Sequence, residues 1–351
     1  MTDRKPIRRS PRAPANSAPT LDDVARAAGV STATVSRCLN APDRVVPATR
    51  EKVMQSVKAL GYTPNFAARV MAAKRTHTIG AIIPTMENAI FARGLQAFQE
   101  ALRNRGYTLL VSSSMYDPEV EKEQIRALVA RGADGLLLIG HTREAQIYDY
   151  LEQQNMPVLV AWSYIEEARL PSVGFDNFGA MRALTEHILS LGHRRIGMIS
   201  GLRAGNDRAD RRIKGVQAAL AQGGLDPAAL MLRETPYEVE SATLSITSLM
   251  GEPAPPTAVI CGSDVLAVGA LRGAQAMGID VPGQLSITGF DDMELSRIVT
   301  PPLTTVHVPH REMGRSAAEE LIEMVEGKRP GRSKRLDTYI VSRGTLTPPA
   351  G

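Results

Sequence analysis

From Thr78 onward, short apolar runs and helix-length amphipathic stretches take turns along the chain, and this alternation restricts the fold more than any other feature. Ile79–Pro84, Tyr107–Ser112, Gly135–Ile139 and Val158–Trp162 read as buried strands. So do Arg195–Ser200, a stretch near Leu230, Ala258–Cys261, Leu285–Gly289 and Thr304–His307. Helical spacing separates them at Phe91–Arg105, Glu119–Arg131, Glu144–Gln154, Asn177–Leu191, Arg208–Gln222, Val265–Met277 and Glu312–Glu326. Such alternation predicts doubly wound parallel sheets with helices on both faces, and its length predicts two of them. Ligands of these α/β sheets bind at the carboxyl ends of strands. Those ends carry Thr85–Phe91, Ser112–Ser114, Ala161–Ser163, Phe175–Asn177, Ser200–Gly205, Ser263–Asp264 and Phe290–Asp292.

The first 75 residues follow another logic. Over residues 20–40, Leu21, Val24, Ala25 and Ala28 recur at helical spacing behind Thr20, which can cap a helix with Asp23 as its capping-box partner. Gly29 supplies a turn, and Ser31 caps a second helix whose inner face is Val35 and Leu39. Val30 completes the expected core. The outer face of the second helix is short and polar, with Ser31, Thr32, Ala33, Thr34, Ser36, Arg37 and Asn40. A slim, hydroxyl-rich leading end with one arginine suits a DNA major groove. A third helix runs from Pro47 to about Leu60.

Charge supports that reading. The chain of 351 residues carries a net charge of +4, but residues 1–75 hold 14 Lys/Arg against 5 Asp/Glu, so the remainder is acidic. The basic end coincides with the helix-turn-helix, as an electrostatic footprint for phosphates would. Residues 1–19, with Arg4, Lys5, Arg8, Arg9 and Arg12 among prolines, read as a disordered basic tail.

The run from Asp23 through Ala28-Gly29-Val30-Ser31 to Thr34-Val35-Ser36-Arg37, followed by Leu39-Asn40, Thr49-Arg50-Glu51-Lys52-Val53, Leu60-Gly61-Tyr62 and Pro64-Asn65, resembles the headpiece of the LacI/GalR family of bacterial repressors. The likeness extends over nearly the whole chain. It implies a helix-turn-helix domain at 20–64, a hinge helix and linker at 65–77, and an effector-binding and dimerisation domain at 78–351. That last domain would be two-lobed and similar to periplasmic sugar-binding proteins. Its first lobe would take about 78–162 and 306–325, its second about 177–290 and 330–345.

By the same resemblance, Thr20, Ser31, Thr32, Ala33, Thr34, Ser36 and Arg37 face operator DNA. Arg37 is the candidate for bidentate reading of a guanine edge. Asn40, Thr49, Tyr62, Asn65 and Ala68 fall at DNA-contacting positions, and Met71 stands where relatives wedge a leucine into the minor groove. Val46 departs from the usual serine cap of the third helix, with Pro47 compensating at the first helical position. Phe91, Trp162, Asp176, Arg212, Ser263 and Asp291 match effector positions. Carboxylates beside an arginine and an aromatic platform suit a polyhydroxylated ligand, a sugar or sugar acid. The Gly174–Phe178 run, with Pro84-Thr85 and Asn88–Phe91, most resembles the gluconate-type members, which favours a sugar acid with Arg93, Arg203 and Arg208 as further carboxylate partners.

These features describe an effector-responsive, sequence-specific regulator of carbohydrate or sugar-acid metabolism genes, either a repressor or a dual regulator. It would act as a homodimer on a palindromic double-stranded operator. The end of the chain has no leucine heptad, which argues against a tetramer. The alternative is a soluble sugar-binding sensor without DNA-binding activity. No phosphate-binding loop, nucleophile elbow or metalloprotease pattern occurs, so no enzyme activity, cofactor or metal is expected. Cys38 and Cys261 lie far apart, which with the lack of a signal core or a membrane-length apolar run points to the cytoplasm.

Overall fold

The computed structural model describes residues 18–63 and 75–350. They fall into two compact units, divided after Thr76. The expected hinge helix falls largely in residues 64–74, outside the described residues.

In the first unit, helices α1 (Leu21–Ala28), α2 (Thr32–Asn40) and α3 (Pro47–Leu60) close on one small core. Val24, Ala25, Ala28, Val35, Cys38, Val53 and Tyr62 are buried there, with Leu21, Val30, Leu39, Val45 and Val57 packed around them. The caps are local chemistry. Thr20 accepts from the Asp23 amide at 3.3 Å while Asp23 accepts from the Thr20 amide at 2.9 Å, which settles two orphan donors at once. Those bonds hold the Asp23 carboxyl below its usual pKa. Gly29 ends α1 at φ +62°, a left-handed value that costs glycine nothing.

The second unit opens with β1 (Thr78–Ile83), helix α4 (Ala89–Asn104), β2 (Thr108–Ser113), α5 (Pro118–Ala130), β3 (Gly135–Ile139), α6 (Ala145–Gln153), β4 (Val158–Ala161) and β5 (Ser172–Gly174). Then come α7 (Asn177–Ser190), β6 (Ile196–Gly201), α8 (Asp207–Gln222), β7 (Met231–Thr235), α9 (Val239–Met250), β8 (Ala258–Cys261), α10 (Asp264–Ala276) and β9 (Ser286–Thr288). The short α11 (Leu295–Ile298), β10 (Thr305–His307), α12 (His310–Val325), β11 (Lys334–Arg335) and β12 (Tyr339–Val341) complete it. Two parallel sheets result, in the orders β11-β5-β4-β3-β1-β2 and β7-β6-β8-β9. Every residue of β1, β3 and β4 is buried, because helices cover both faces, whereas the edge strand β2 leaves Leu110 and Val111 exposed.

The chain passes between the sheets after β5, after β9 and after β11. Two of these passages pair as an antiparallel ribbon, β10 with β12. The sheets correct the expected lobe boundaries. Ser172–Gly174 and Lys334–Arg335 belong to the first sheet, since Val160 pairs with Ser172 and Lys334 with Val173. The closing stretch of the second lobe therefore begins beyond Arg335, not near 330. The helix α9 was absent from the sequence reading, its Thr/Ser-rich stretch giving a weak apolar period.

A DNA-reading face and an effector cleft

In the first unit, α2 presents Ser31, Thr32, Ala33 and Arg37 to solvent, with Thr34 and Ser36 half-buried beside them. Val35 and Cys38 turn inward, which leaves this face free to contact a groove. Ser31 serves as the cap of α2, taking the Thr34 amide at 3.2 Å. The Arg37 side chain has no hydrogen-bond or ion-pair partner among the described residues. Asn40 closes α2, and half-buried Thr49 lies in the first turn of α3. Tyr62 is 8% exposed and belongs to the headpiece core. Asn65, Ala68 and Met71 lie outside the described residues.

In the second unit, the loops after β1, β2 and β3 meet the start of α8. Pro84, Tyr116, Ile139 and Thr142 line a small cleft with Gly205 and Arg208. Asp207, opening α8, accepts the amide of His141 at 2.7 Å, and the Tyr116 and Tyr237 rings stack with centroids 6.1 Å apart. The two lobes are thus in contact along this edge.

Asp291 is 1% exposed, and neither carboxylate oxygen has a hydrogen-bond partner among the described residues. Its nearest charged neighbour is Arg212, with Nη2 3.9 Å from Oδ1. Burial pushes the Asp291 carboxyl up to about 8 against the opposing pull of Arg212. Arg212 donates from Nε to Asn177 Oδ1 at 2.9 Å and from Nη1 to the Gly262 carbonyl, and lies 3.9 Å from the Phe290 ring centroid. Asn177 in turn donates to the Trp162 carbonyl at 3.1 Å. Trp162 is held at φ +61° against Phe91, ring centroids 5.4 Å apart, with its Nε1 unpartnered among the described residues. Asp291 sits at φ +110° and Asp292 at +52°; consecutive strained positions of this kind gather at functional sites.

Of the six effector positions read from the sequence, Phe91, Trp162, Arg212 and Asp291 converge here. Asp176 and Ser263 serve local structure. Asp176 accepts the Phe178 amide at 3.1 Å and pairs with Arg211, and Ser263 accepts the Leu266 amide at 3.3 Å. Both are helix caps. Asn177 lies in the Phe175–Asn177 strand end without being singled out as an effector residue, and Tyr116, Tyr237 and His310 are not among the expected positions. Asn177 directly follows a singled-out aspartate and so lay within reach; the two tyrosines carry no local signal.

A family model described as bacterial regulatory proteins, lacI family, matches residues 20–65, and a periplasmic binding protein-like domain matches 185–346. The HTH-type transcriptional repressor CytR of Escherichia coli (strain K12) is 34% identical over 330 residues, covering 93% of this chain and 96% of that one. The chain belongs to the lacI family. As a member it is a DNA-binding transcriptional regulator with a helix-turn-helix headpiece and a periplasmic-binding-like core. The ribose operon repressor of Haemophilus influenzae is 33% identical over 319 residues, 90% of this chain and 94% of its own length. Among solved structures, the Lac repressor dimer bound to operator and the anti-inducer ONPF matches with a TM-score of 0.85 at 28% identity. It covers 94% of this chain and all of that one. Among the described residues no helix is long and apolar enough to cross a membrane.

Proposed function

We propose that this family member is switched by a small polyhydroxylated effector, a sugar or a sugar acid, held in the cleft around Asp291 and Arg212. The observation that carries the reading is the buried, unpartnered carboxylate of Asp291. Leaving such a group without partners costs about 1–3 kcal/mol or more, a cost that a ligand hydroxyl removes. Phe91, Trp162 and Phe290 supply apolar walls for the carbon face of a sugar ring. The protein acts in the cytoplasm as a homodimer, its two headpieces reading a palindromic operator with Arg37 in direct base contact, and it catalyses no reaction. Its genes belong to carbohydrate metabolism.

Effector binding alters the relative seating of the two lobes, and thereby the placement of paired headpieces on DNA. It can do so only by its differential affinity for the two arrangements. The lobes pack along one edge through Asp207 and His141, so closure and opening change real contacts.

Trp162 is the only tryptophan, so its fluorescence reports on the cleft directly. Titration with neutral pentoses and hexoses and with aldonic acids should give a saturable change with one class. A gel shift on the upstream region of the gene should then respond to that same compound. A gel shift that finds no site at all would remove the DNA-binding half of the reading; silent titrations with every class would remove the effector half.

A further inference from the structure

His310, the first residue of α12, is 3% exposed, and neither ring nitrogen has a hydrogen-bond partner among the described residues. Its Nε2 stands 3.8 Å from Asp291 Oδ1, and its ring lies 6.5 Å from that of Trp162, centroid to centroid. The two residues come from opposite sides of the cleft. Helix α12 packs on α4 and on the first sheet, while Asp291 follows β9 of the second. Three unsatisfied groups therefore gather at one buried point: the Asp291 carboxyl, both nitrogens of His310 and Nε1 of Trp162. Burial keeps the imidazole neutral, so it offers one donor and one acceptor.

The cationic side chains around the cleft are, by contrast, engaged. Arg93 pairs with Glu294, Arg203 with Glu234, Arg208 with Asp207 and Arg211 with Asp176. Arg212 is tied to Asn177 and the Gly262 carbonyl. A ligand carboxylate would have to share a guanidinium that already carries a protein carboxylate or carbonyl. Hydroxyls, which both donate and accept, match the open groups as they stand.

We propose that His310 determines the ligand class of this cleft, its imidazole and the Asp291 carboxyl each taking one of two adjacent hydroxyls of a neutral sugar. This rests on the reading of the cleft as the effector site and narrows it from sugars and sugar acids to neutral sugars. A diol bridging the two residues also ties one lobe to the other, so recognition and lobe seating share the same atoms.

Calorimetric titration of the full-length protein with neutral pentoses, neutral hexoses and their aldonic acids tests this, using wild type, His310→Leu, His310→Gln and Asp291→Asn. A neutral sugar should bind. Its affinity should fall about tenfold or more in His310→Leu, as loss of a buried hydrogen-bonding pair requires, and recover to within about threefold in His310→Gln. Thermal melts of His310→Leu should match or exceed wild type, since no native hydrogen bond is removed and two unpartnered buried nitrogens are. Undiminished sugar affinity in His310→Leu, with loss in Asp291→Asn, overturns the role of His310 and leaves the effector site standing. Tighter binding of an aldonic acid than of any neutral sugar also overturns it. If no compound binds, or Asp291→Asn is as indifferent as His310→Leu, the effector reading of the cleft falls with it.

Discussion

Asp292 Oδ2 lies 2.9 Å from Nδ1 of His307, and the other oxygen of the same carboxylate takes the guanidinium of Arg343. His307 ends β10 and Arg343 follows β12, so one side chain joins two of the three passages between the lobes. Ser296 donates to Asp292 as well, at 3.2 Å. Burial alone would raise the Asp292 pKa, but the hydrogen bonds from Arg343 and His307 hold it below the usual carboxylate value. Asp292 is also the covalent neighbour of Asp291, so the clasp on the passages and the unpartnered carboxylate of the cleft are one peptide apart.

Removing that clasp should be expensive. Asp292→Ala leaves Arg343 mostly buried without its carboxylate, and breaking a buried pair from one side costs about 3–5 kcal/mol. Urea denaturation followed by circular dichroism should show a midpoint well below wild type. A loss smaller than about 1 kcal/mol would mean that the passages are held chiefly by the β10–β12 ribbon.

Asp291 gives a pH signature. Its carboxyl titrates near 8 in the folded protein, against an ordinary 3.8, because it is buried, with Arg212 pulling the other way and Asp264 adding to the rise. A folded-state pKa above the unfolded one means that the unfolded chain releases its proton first. The contribution to stability is therefore intact below about pH 4 and is lost as pH rises toward 8. His310, 3.8 Å from Asp291, runs the opposite way: its pKa falls to about 3 through burial and the neighbouring Arg212, so protonation of the unfolded chain below its ordinary 6.5 costs stability. Asp291→Asn should thus melt above wild type at pH 8, with the gap closing near pH 4. A gap independent of pH would contradict the assignment.

Gly314 packs against Gly94 where α12 crosses α4, and a β-carbon there would sit 1.9 Å from the Gly94 carbonyl oxygen. Backbone cannot yield as a side-chain tip does, so Gly314→Ala should cost about 1–3 kcal/mol by overpacking. Because Gly94 itself abuts the Trp162 ring, the variant should also shift tryptophan emission. A melt and a spectrum identical to wild type would rule out this close approach.

On the DNA side, Arg37→Ala should flatten discrimination at one base pair, at about 1–3 kcal/mol, while leaving non-specific binding nearly unchanged. Binding measured across operator variants decides it: retained discrimination at every position would remove Arg37 from base reading.

The headpiece was legible almost residue by residue. Thr20, Asp23, Gly29 and Ser31 act within four residues of themselves, so their spacing alone places α1 and α2. Within α2 the structure adds Cys38 to the expected core, a small thiol that the apolar pattern passed over, and α3 with its flanks adds Val45, Val53, Val57 and Tyr62. The alternating α/β architecture was equally readable, because strands covered on both faces must be continuously apolar. The strands β5 and β11 were not. At three and two residues they exist only because an open edge offers partners, that of β4 to β5 and that of β5 in turn to β11.

Local periodicity, caps and strand ends are enough to place the helix-turn-helix, the parallel α/β lobes and the residue types that could meet a polyhydroxylated ligand. Which partners those residues find depends on contacts across the fold. Asp176 and Ser263 cap helices, Arg203 and Arg208 pair with carboxylates, and the side chains of Asp291 and His310 have no hydrogen-bond partner among the described residues, although nothing near them in the chain says so. Partnership is a property of distance across the fold. Asp291 meets Arg212 and His310 through chain segments from both lobes, and that approach is set by the packing of two sheets rather than by any local spacing.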